Sequence, residues 1–394
     1  MGQRYFVQWL HNVQGLPRSP ISIIWPAHHT EQKQWRFEAQ RFHQVAYLGP
    51  RNGTGTAGSS GIPAALRVAI EQNRRVVSEN SAKFIIAEHK WCKDTSVPER
   101  LIQYVDQGVL DKLPPGTGVQ EYRRAESRTG LVPQRSRLPT DEAGRETNLF
   151  IKILQFEHGM NMVASEFRSM SRLWSIMPEL VAEPIAWGSY VKNSDAHFFV
   201  CRFCEMSGAI PDLDKFPKLL AEMHKRGVSP DGKFGMPYVT YTGRNPLYFP
   251  PSESWEEYFS KGLTLVFDME EDTHGIDQQL REMRGGIMTK VIPRLLCPLE
   301  TEGRSLAPRL VHGDLWDGNA SIDANTGTPK IFDGVCFYAY NEHDLGPWWA
   351  PRHKMTDKDI AEYIKCFPVS EPKGDFGGRG DSICKLRPCT LEHS

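Results

Sequence analysis

Apolar residues in this chain follow two rhythms, and the rhythm changes at identifiable places. Asn148 to Leu154 carries Leu149, Phe150, Ile151, Ile153 and Leu154 around one lysine, Lys152, which predicts a strand. Met160 to Ile176 follows with Met162, Val163, Phe167, Met170, Leu173 and Trp174 at helical spacing. Pro184 to Gly188 and His197 to Phe203 predict two more strands. Asp214 to Arg226 predicts a helix with Phe216, Leu219, Leu220 and Met223 on one face, and Trp255 to Met269 predicts another. After Arg309 the pattern shortens to brief apolar runs around polar corners. Leu310 and Val311 precede His312-Gly313-Asp314; Ala320 to Ile322 precedes a turn at Asn325-Thr326-Gly327; Lys330-Ile331-Phe332 leads into Asp333. Asp359 to Cys366 predicts a short closing helix.

The earlier part of the chain is less ordered in pattern. Val45 to Leu48 reads as a short strand, and Ile62 to Glu79 as a helix with Ala64, Ala65, Val68 and Ala69 apolar. Leu101 to Leu113 has apolar residues at helical spacing and is stopped by Pro114-Pro115-Gly116. Thr117 to Thr147 is polar, rich in Arg, Ser and Gly, and weakly patterned. From Asp375 the chain is Gly-rich and polar. These changes divide it into four: an N-terminal extension over 1–100, weakly structured; a small lobe over 101–206, atypical at 117–147; a large lobe over 207–376; and a flexible tail over 377–394.

Composition narrows the function classes. The formal net charge of −1 gives no global attraction to nucleic acid, which is bound by basic surfaces that release counterions. No apolar run approaches the roughly 18–20 residues that span a bilayer. The start lacks the apolar core of a signal peptide. The 8 cysteines are scattered, which fits a reducing compartment and a cytoplasmic chain. The one tight pair, Cys201 and Cys204, lies at the end of a predicted strand, where residues three apart face opposite ways, so it reads as ordinary strand sequence. Gly53-Thr54-Gly55-Thr56-Ala57-Gly58 fits the dinucleotide fingerprint G-x-G-x-x-G. Gly49-Pro50-Arg51-Asn52 separates it from its strand, however, and no repeating strand–helix pattern continues into a parallel sheet. A linker is the better reading.

The chemistry concentrates in His312-Gly313-Asp314-Leu315-Trp316-Asp317-Gly318-Asn319 and in Ile331-Phe332-Asp333. Phosphoryl transfer from ATP asks for this set. One carboxylate accepts the proton of the attacking hydroxyl, while an amide oxygen and a second carboxylate hold Mg²⁺ on the phosphates. The five-residue step from Asp314 to Asn319 matches the H-R-D-x-x-x-x-N step of protein kinases, and Asp333 stands where their metal-binding Asp follows. Upstream, Lys152 is a lone cation in an apolar strand and Glu166 lies fourteen residues on, in the next helix. That order is the kinase ion pair of strand lysine and helix glutamate. Each residue alone has a bland reading, as a turn aspartate, a turn asparagine, a strand-end aspartate, a snorkelling lysine or an exposed helix glutamate. Five in the required order point to a kinase-type scaffold.

The stretch His312-Gly313-Asp314-Leu315-Trp316-x-Gly318-Asn319 resembles the fructosamine kinase and ketosamine-3-kinase family, within the aminoglycoside and choline phosphotransferase superfamily. Lys233-Phe234-Gly235, Thr240-Tyr241-x-Gly243 and Leu219-Leu220-Ala221-Glu222-Met223-His224 agree with it, and Asn341-Glu342-x-Asp344-Leu345-Gly346-Pro347-Trp348 resembles the family's fungal branch. The resemblance covers roughly 103–116 and 148–375. It implies an α+β, two-lobed protein-kinase-like fold with a small β-rich N-lobe and a larger, mostly helical C-lobe. It implies ATP- and Mg²⁺-dependent phosphorylation of the 3-hydroxyl of sugar ketoamines, on glycated proteins or as small ketosamines, as a deglycation step. Carried over, Asp314 is the base, Asn319 and Asp333 bind magnesium, Lys152 and Glu166 serve ATP, and Trp316 lines the sugar pocket.

The stretch just before Lys152 departs from the family, because neither Gly130 nor Gly144 sits in a clear hairpin over the phosphates. Two alternatives therefore stand beside the ketosamine kinase. One is a catalytically impaired kinase-like binding protein; the other is a phosphotransferase for an aminoglycoside- or choline-type alcohol.

Overall fold

Five antiparallel strands form the smaller of two lobes in the computed structural model, which describes residues 43–50, 97–101, 104–113, 117–125, 147–242, 245–247 and 250–376. They are β1 (His43–Pro50), β2 (Thr117–Ala125), β3 (Thr147–Gln155), β4 (Pro184–Ser189) and β5 (Ala196–Arg202), in the order β2-β1-β3-β5-β4. The apolar runs around Lys152 and after Pro184 and His197 thus become strands within a residue or two of their expected ends.

Two strands come from sequence that promised less. β1 lies inside the stretch set apart as an extension, yet it is paired on both edges, with His43 opposite both Ala125 of β2 and Lys152 of β3. β2 falls in the polar stretch 117–147. Its sequence, Thr-Gly-Val-Gln-Glu-Tyr-Arg-Arg-Ala, has no apolar alternation to announce a strand, and its partner lies some seventy residues upstream. The expected helix over Ile62–Glu79, the Gly53–Gly58 motif, the lid residues 126–146 and the tail 377–394 lie outside the described residues.

Alternation along β3 sends Leu149, Ile151 and Ile153 to one face, where they meet Ala186, Phe198 and Val200 in the small-lobe core. The Val97–Leu113 segment covers that core with Val97, Leu101, Val109 and Leu113. Apolar spacing over Leu101–Leu113 had predicted a helix, but among the described residues of that run only α1 (Gln107–Leu110) is α-helical. Asp106 interrupts it: the buried carboxylate caps Gly108 N at 2.8 Å and reaches across to Val191 N at 2.6 Å, tying the segment to the β4–β5 loop.

On the other face lies α2 (Phe156–Ile176), which buries Val163, Phe167, Met170 and Leu173 at helical spacing. This helix is also bonded to the large lobe. Ser169 Oγ accepts Cys336 N at 3.1 Å, and Arg172 Nε donates to Tyr338 Oη at 2.9 Å.

The large lobe begins with α3 (Phe216–Arg226) and the hairpin β6 (Thr240–Thr242) and β7 (Asn245–Leu247). Next come α4 (Trp255–His274), α5 (Gln278–Gly286), a π-helical turn over Ile287–Val291 and α6 (Ile292–Leu296). Four short strands follow: β8 (Arg309–Val311), β9 (Ala320–Ile322), β10 (Pro329–Ile331) and β11 (Phe337–Ala339). They pair as β8 with β11 and β9 with β10. A 3₁₀ run over Asn341–Trp349, with Pro347 inside it, and α7 (Asp357–Cys366) complete the lobe. Thr356 and Asp359 form a capping box that starts α7 two residues before the expected Asp359. One continuous core, including Trp255, Trp348, Phe216 and Tyr363, holds these elements apart from the β6–β7 hairpin, whose Tyr241 packs with Val239 and Met162. Among the described residues no helix is long and apolar enough to cross a membrane.

Candidate active site

Lys152 stands in mid-strand on β3, opposite Phe199 of β5. Its neighbours Ile151 and Ile153 enter the small-lobe core, so its own side chain faces α2. It is 3% exposed. An ammonium so removed from water needs ionic partners, and it has two. Glu166 Oε2 of α2 lies 2.5 Å from Nζ, and Asp333 Oδ1 of the large lobe lies 2.9 Å away. One lysine therefore bridges helix, sheet and large lobe.

The corner after β8 is set by backbone. Gly313 has φ +83°, and a Cβ there would lie 2.5 Å from Val335 O, so only glycine fits. His312 is fully buried, and burial pushes its pKa down despite the Asp344 and Asp314 charges nearby. A neutral ring agrees with its bonds: Nε2 donates to Phe332 O at 3.0 Å, and Nδ1 accepts Asp314 N at 3.3 Å. The loop then closes on itself, as Asn319 Nδ2 donates to Asp314 O at 2.8 Å and to Asp314 Oδ2 at 3.0 Å. Phe332 N donates to Asn319 O at 3.1 Å, which sets the next residue, Asp333, beside the loop. Asp333 has φ +59°, a conformation that costs a non-glycine residue and is held here by its surroundings.

Asp344 fixes the corner from beneath. Its wholly buried carboxylate accepts His312 N at 2.7 Å, Gly313 N at 2.9 Å and His224 Nε2 at 3.2 Å. Burial alone would raise its pKa, but the His224 hydrogen bond, the neighbouring imidazoles and the backbone donor outweigh burial and hold it at about 2. His224 Nδ1 in turn meets Tyr363 Oη of α7 at 2.7 Å, and that oxygen accepts Asn341 Nδ2 at 3.0 Å.

Trp316 lies along the same loop. Its ring occupies the space where a Cβ on Gly318 would stand, so the glycine lets the indole lie flat on the backbone. His353 packs on it at 5.6 Å between ring centres. Cys201 and Cys204 are free thiols, and burial raises both pKa values, which disfavours the nucleophilic thiolate.

The sequence model described as fructosamine kinase matches residues 114–371, more than half of the chain. The chain belongs to the fructosamine kinase family. Among its relatives is the protein-ribulosamine 3-kinase, chloroplastic, of Oryza sativa subsp. japonica, 32% identical over 192 residues. That match takes in 48% of this chain and 53% of the rice protein, so the chain spans about half the length of that relative. The ketosamine-3-kinase of Mus musculus is 26% identical over 237 residues, which are 55% of this chain and 72% of the mouse protein. A crystal structure from Thermobifida fusca, provisionally named a fructosamine-3-kinase, is 17% identical, with 62% of this chain and 83% of that one covered at a TM-score of 0.48.

In this fructosamine kinase family member, five of the six expected site residues meet in two touching groups. Lys152, Glu166 and Asp333 form one, and Asp314 and Asn319 the other, joined through Phe332. Trp316 stands with the second group and makes no bond to the first among the described contacts. The sequence reading quoted Asp344 and His224 only as parts of family stretches and assigned them no role. Their signal was faint, because a buried aspartate in a 3₁₀ run looks like a turn residue until its donors are known. Tyr363 and His353 gave no signal, since each matters through a partner far away in sequence.

Proposed function

We propose that this chain transfers the γ-phosphoryl group of ATP to the 3-hydroxyl of sugar ketoamines, of ribulosamine or fructosamine type, on protein lysines or as small ketosamines. The observation that carries this reading is the double bridge of Lys152 to Glu166 and Asp333, beside a loop in which Asn319 holds Asp314. The family match supports the ketoamine as acceptor.

In this reading Asp314 accepts the proton of the 3-hydroxyl as its oxygen bonds to the γ-phosphorus. The bond from that phosphorus to the β–γ bridging oxygen breaks, and ADP leaves. Lys152 binds the phosphates, and Glu166 keeps its ammonium oriented. The donor set fits Mg²⁺, which takes hard oxygens and keeps waters and phosphate oxygens for the rest of its shell. Asn319 spends its amide nitrogen on Asp314, so its oxygen is the atom it offers a cation, and Asp333 adds a carboxylate beside it. Bound there, the ion neutralises charge on the phosphates. The phosphorylated adduct then falls apart, which makes the reaction a repair step for glycated protein. The free cysteines among the described residues support a cytoplasmic setting.

The test is incubation of the purified chain with Mg-ATP and a ribulosamine-bearing peptide, followed by mass. Transfer of one phosphoryl group that disappears in Asp314→Ala supports the proposal. A folded chain that neither binds ATP nor transfers phosphate overturns it.

A further inference from the structure

The segment from the last turn of the 3₁₀ run to α7 passes over the His312–Asn319 loop and holds three of its residues in succession. Trp348 Nε1, at the start, donates to Leu315 O at 3.0 Å. His353 packs on the Trp316 ring at 5.6 Å and 51°. The same His353 meets Asp317 Oδ1 through Nδ1 at 3.0 Å, and Lys354 N donates to that oxygen at 3.2 Å. The His353 and Asp317 side chains are 11% and 13% exposed. The segment is anchored at both ends, by Trp348 at 2% and Met355 at 1% exposure in the large-lobe core. It is a fixed strap across residues 315–317 of the loop.

Asp317 Oδ1, held by both His353 Nδ1 and Lys354 N, keeps the imidazole against the indole. The indole in turn can only lie down because Gly318 has no side chain.

We propose that His353 is a positioning residue for the acceptor: through Asp317 and the Trp316 ring it fixes the indole face on which the ketoamine sugar rests. This rests on the phosphotransferase reading above. A flat aromatic face selects a sugar by contact area and by orientation, and a small displacement of such a surface weakens binding and alignment without touching the phosphates.

The test is steady-state kinetics of the full chain with Mg-ATP and a ribulosyl-lysine peptide. His353→Ala is expected to raise the acceptor KM about tenfold while the ATP KM stays within about twofold. His353→Asn, which keeps a donor for Asp317, is expected to recover part of that loss. In a double-mutant cycle, His353→Ala adds little on top of Trp316→Ala, because both remove the same surface. Equal rises in both KM values, an unchanged acceptor KM, or independent multiplication of the two substitutions overturn the proposal. If the wild-type chain transfers no phosphate to the peptide, the function proposed above fails, and amide exchange over Leu315–Asn319 then decides this one. Faster exchange in His353→Ala than in wild type, slowed again in His353→Asn, supports the positioning role; unchanged exchange overturns it.

Discussion

The two halves of the candidate site are built in opposite ways. The catalytic corner of the large lobe is made of neighbours: His312, Gly313, Asp314 and Asn319 lie within eight residues and bond mostly to one another and to Asp344. The small-lobe sheet is assembled from afar, with β1 from residues 43–50 set between β2 from 117–125 and β3 from 147–155. A local corner loses little loop entropy in closing, so most of its geometry is set by near neighbours, with Asp344 as its one distant anchor. A sheet of distant strands depends on every crossing being made. The difference teaches where this protein is vulnerable: the chemistry is robustly placed, while the platform holding the lysine is conditional.

That contrast can be tested at several strengths. Asp314→Ala should lower phosphoryl transfer by about 10²–10⁴-fold with melting temperature nearly unchanged, the scale of a lost general base; a variant that retains transfer would show that the corner holds no base. Lys152→Ala strips the shared cation from two carboxylates and should destabilise the fold by about 3 kcal/mol in urea unfolding. Adding Glu166→Gln should recover part of that loss, and no recovery would mean that the lysine matters by packing.

Asp344→Asn tests the corner's anchor. A carboxyl at about 2 when folded, against an ordinary 3.8, contributes stability in full above its unfolded pKa. That contribution, about 2 kcal/mol, is lost as pH falls from about 4 toward 2. The wild-type stability curve should therefore fall across that window more steeply than the variant's, and parallel curves would remove Asp344 from the account. On the sheet side, Ala46→Pro deletes a ladder donor from β1 and should cost about 1 kcal/mol and weaken ATP binding. Unchanged ATP binding and unchanged exchange of the β3 amides would show that the sheet does not need its upstream strand. Tyr363→Phe removes the hydroxyl shared by His224 and Asn341, and should cost about 1 kcal/mol with transfer reduced less than threefold.

The same contrast explains what could be read in the sequence. The runs that became β3, α2, β4, α3 and α4 were legible because each turns an apolar face to a core, and β5 because it is buried on both faces and so reads as a continuous apolar run. The order Lys152, Glu166, Asp314, Asn319, Asp333 was legible because kinase chemistry fixes residue types and spacing. β2 was not, since its sequence carries no apolar alternation and its pairing is decided by β1. The Leu101–Leu113 run misled in the other direction: its apolar residues do reach the core, but Asp106 caps a single short turn there and bonds across to Val191, so the spacing of buried residues arises without a continuous helix. Asp344, Tyr363 and His353 work through partners that only the fold supplies.

The bonds from Ser169 and Arg172 to Cys336 and Tyr338 have a mechanical consequence. They fasten α2, and with it Glu166, to the large lobe that also carries Asp333, so any displacement of the sheet is felt by both ion pairs of Lys152 at once.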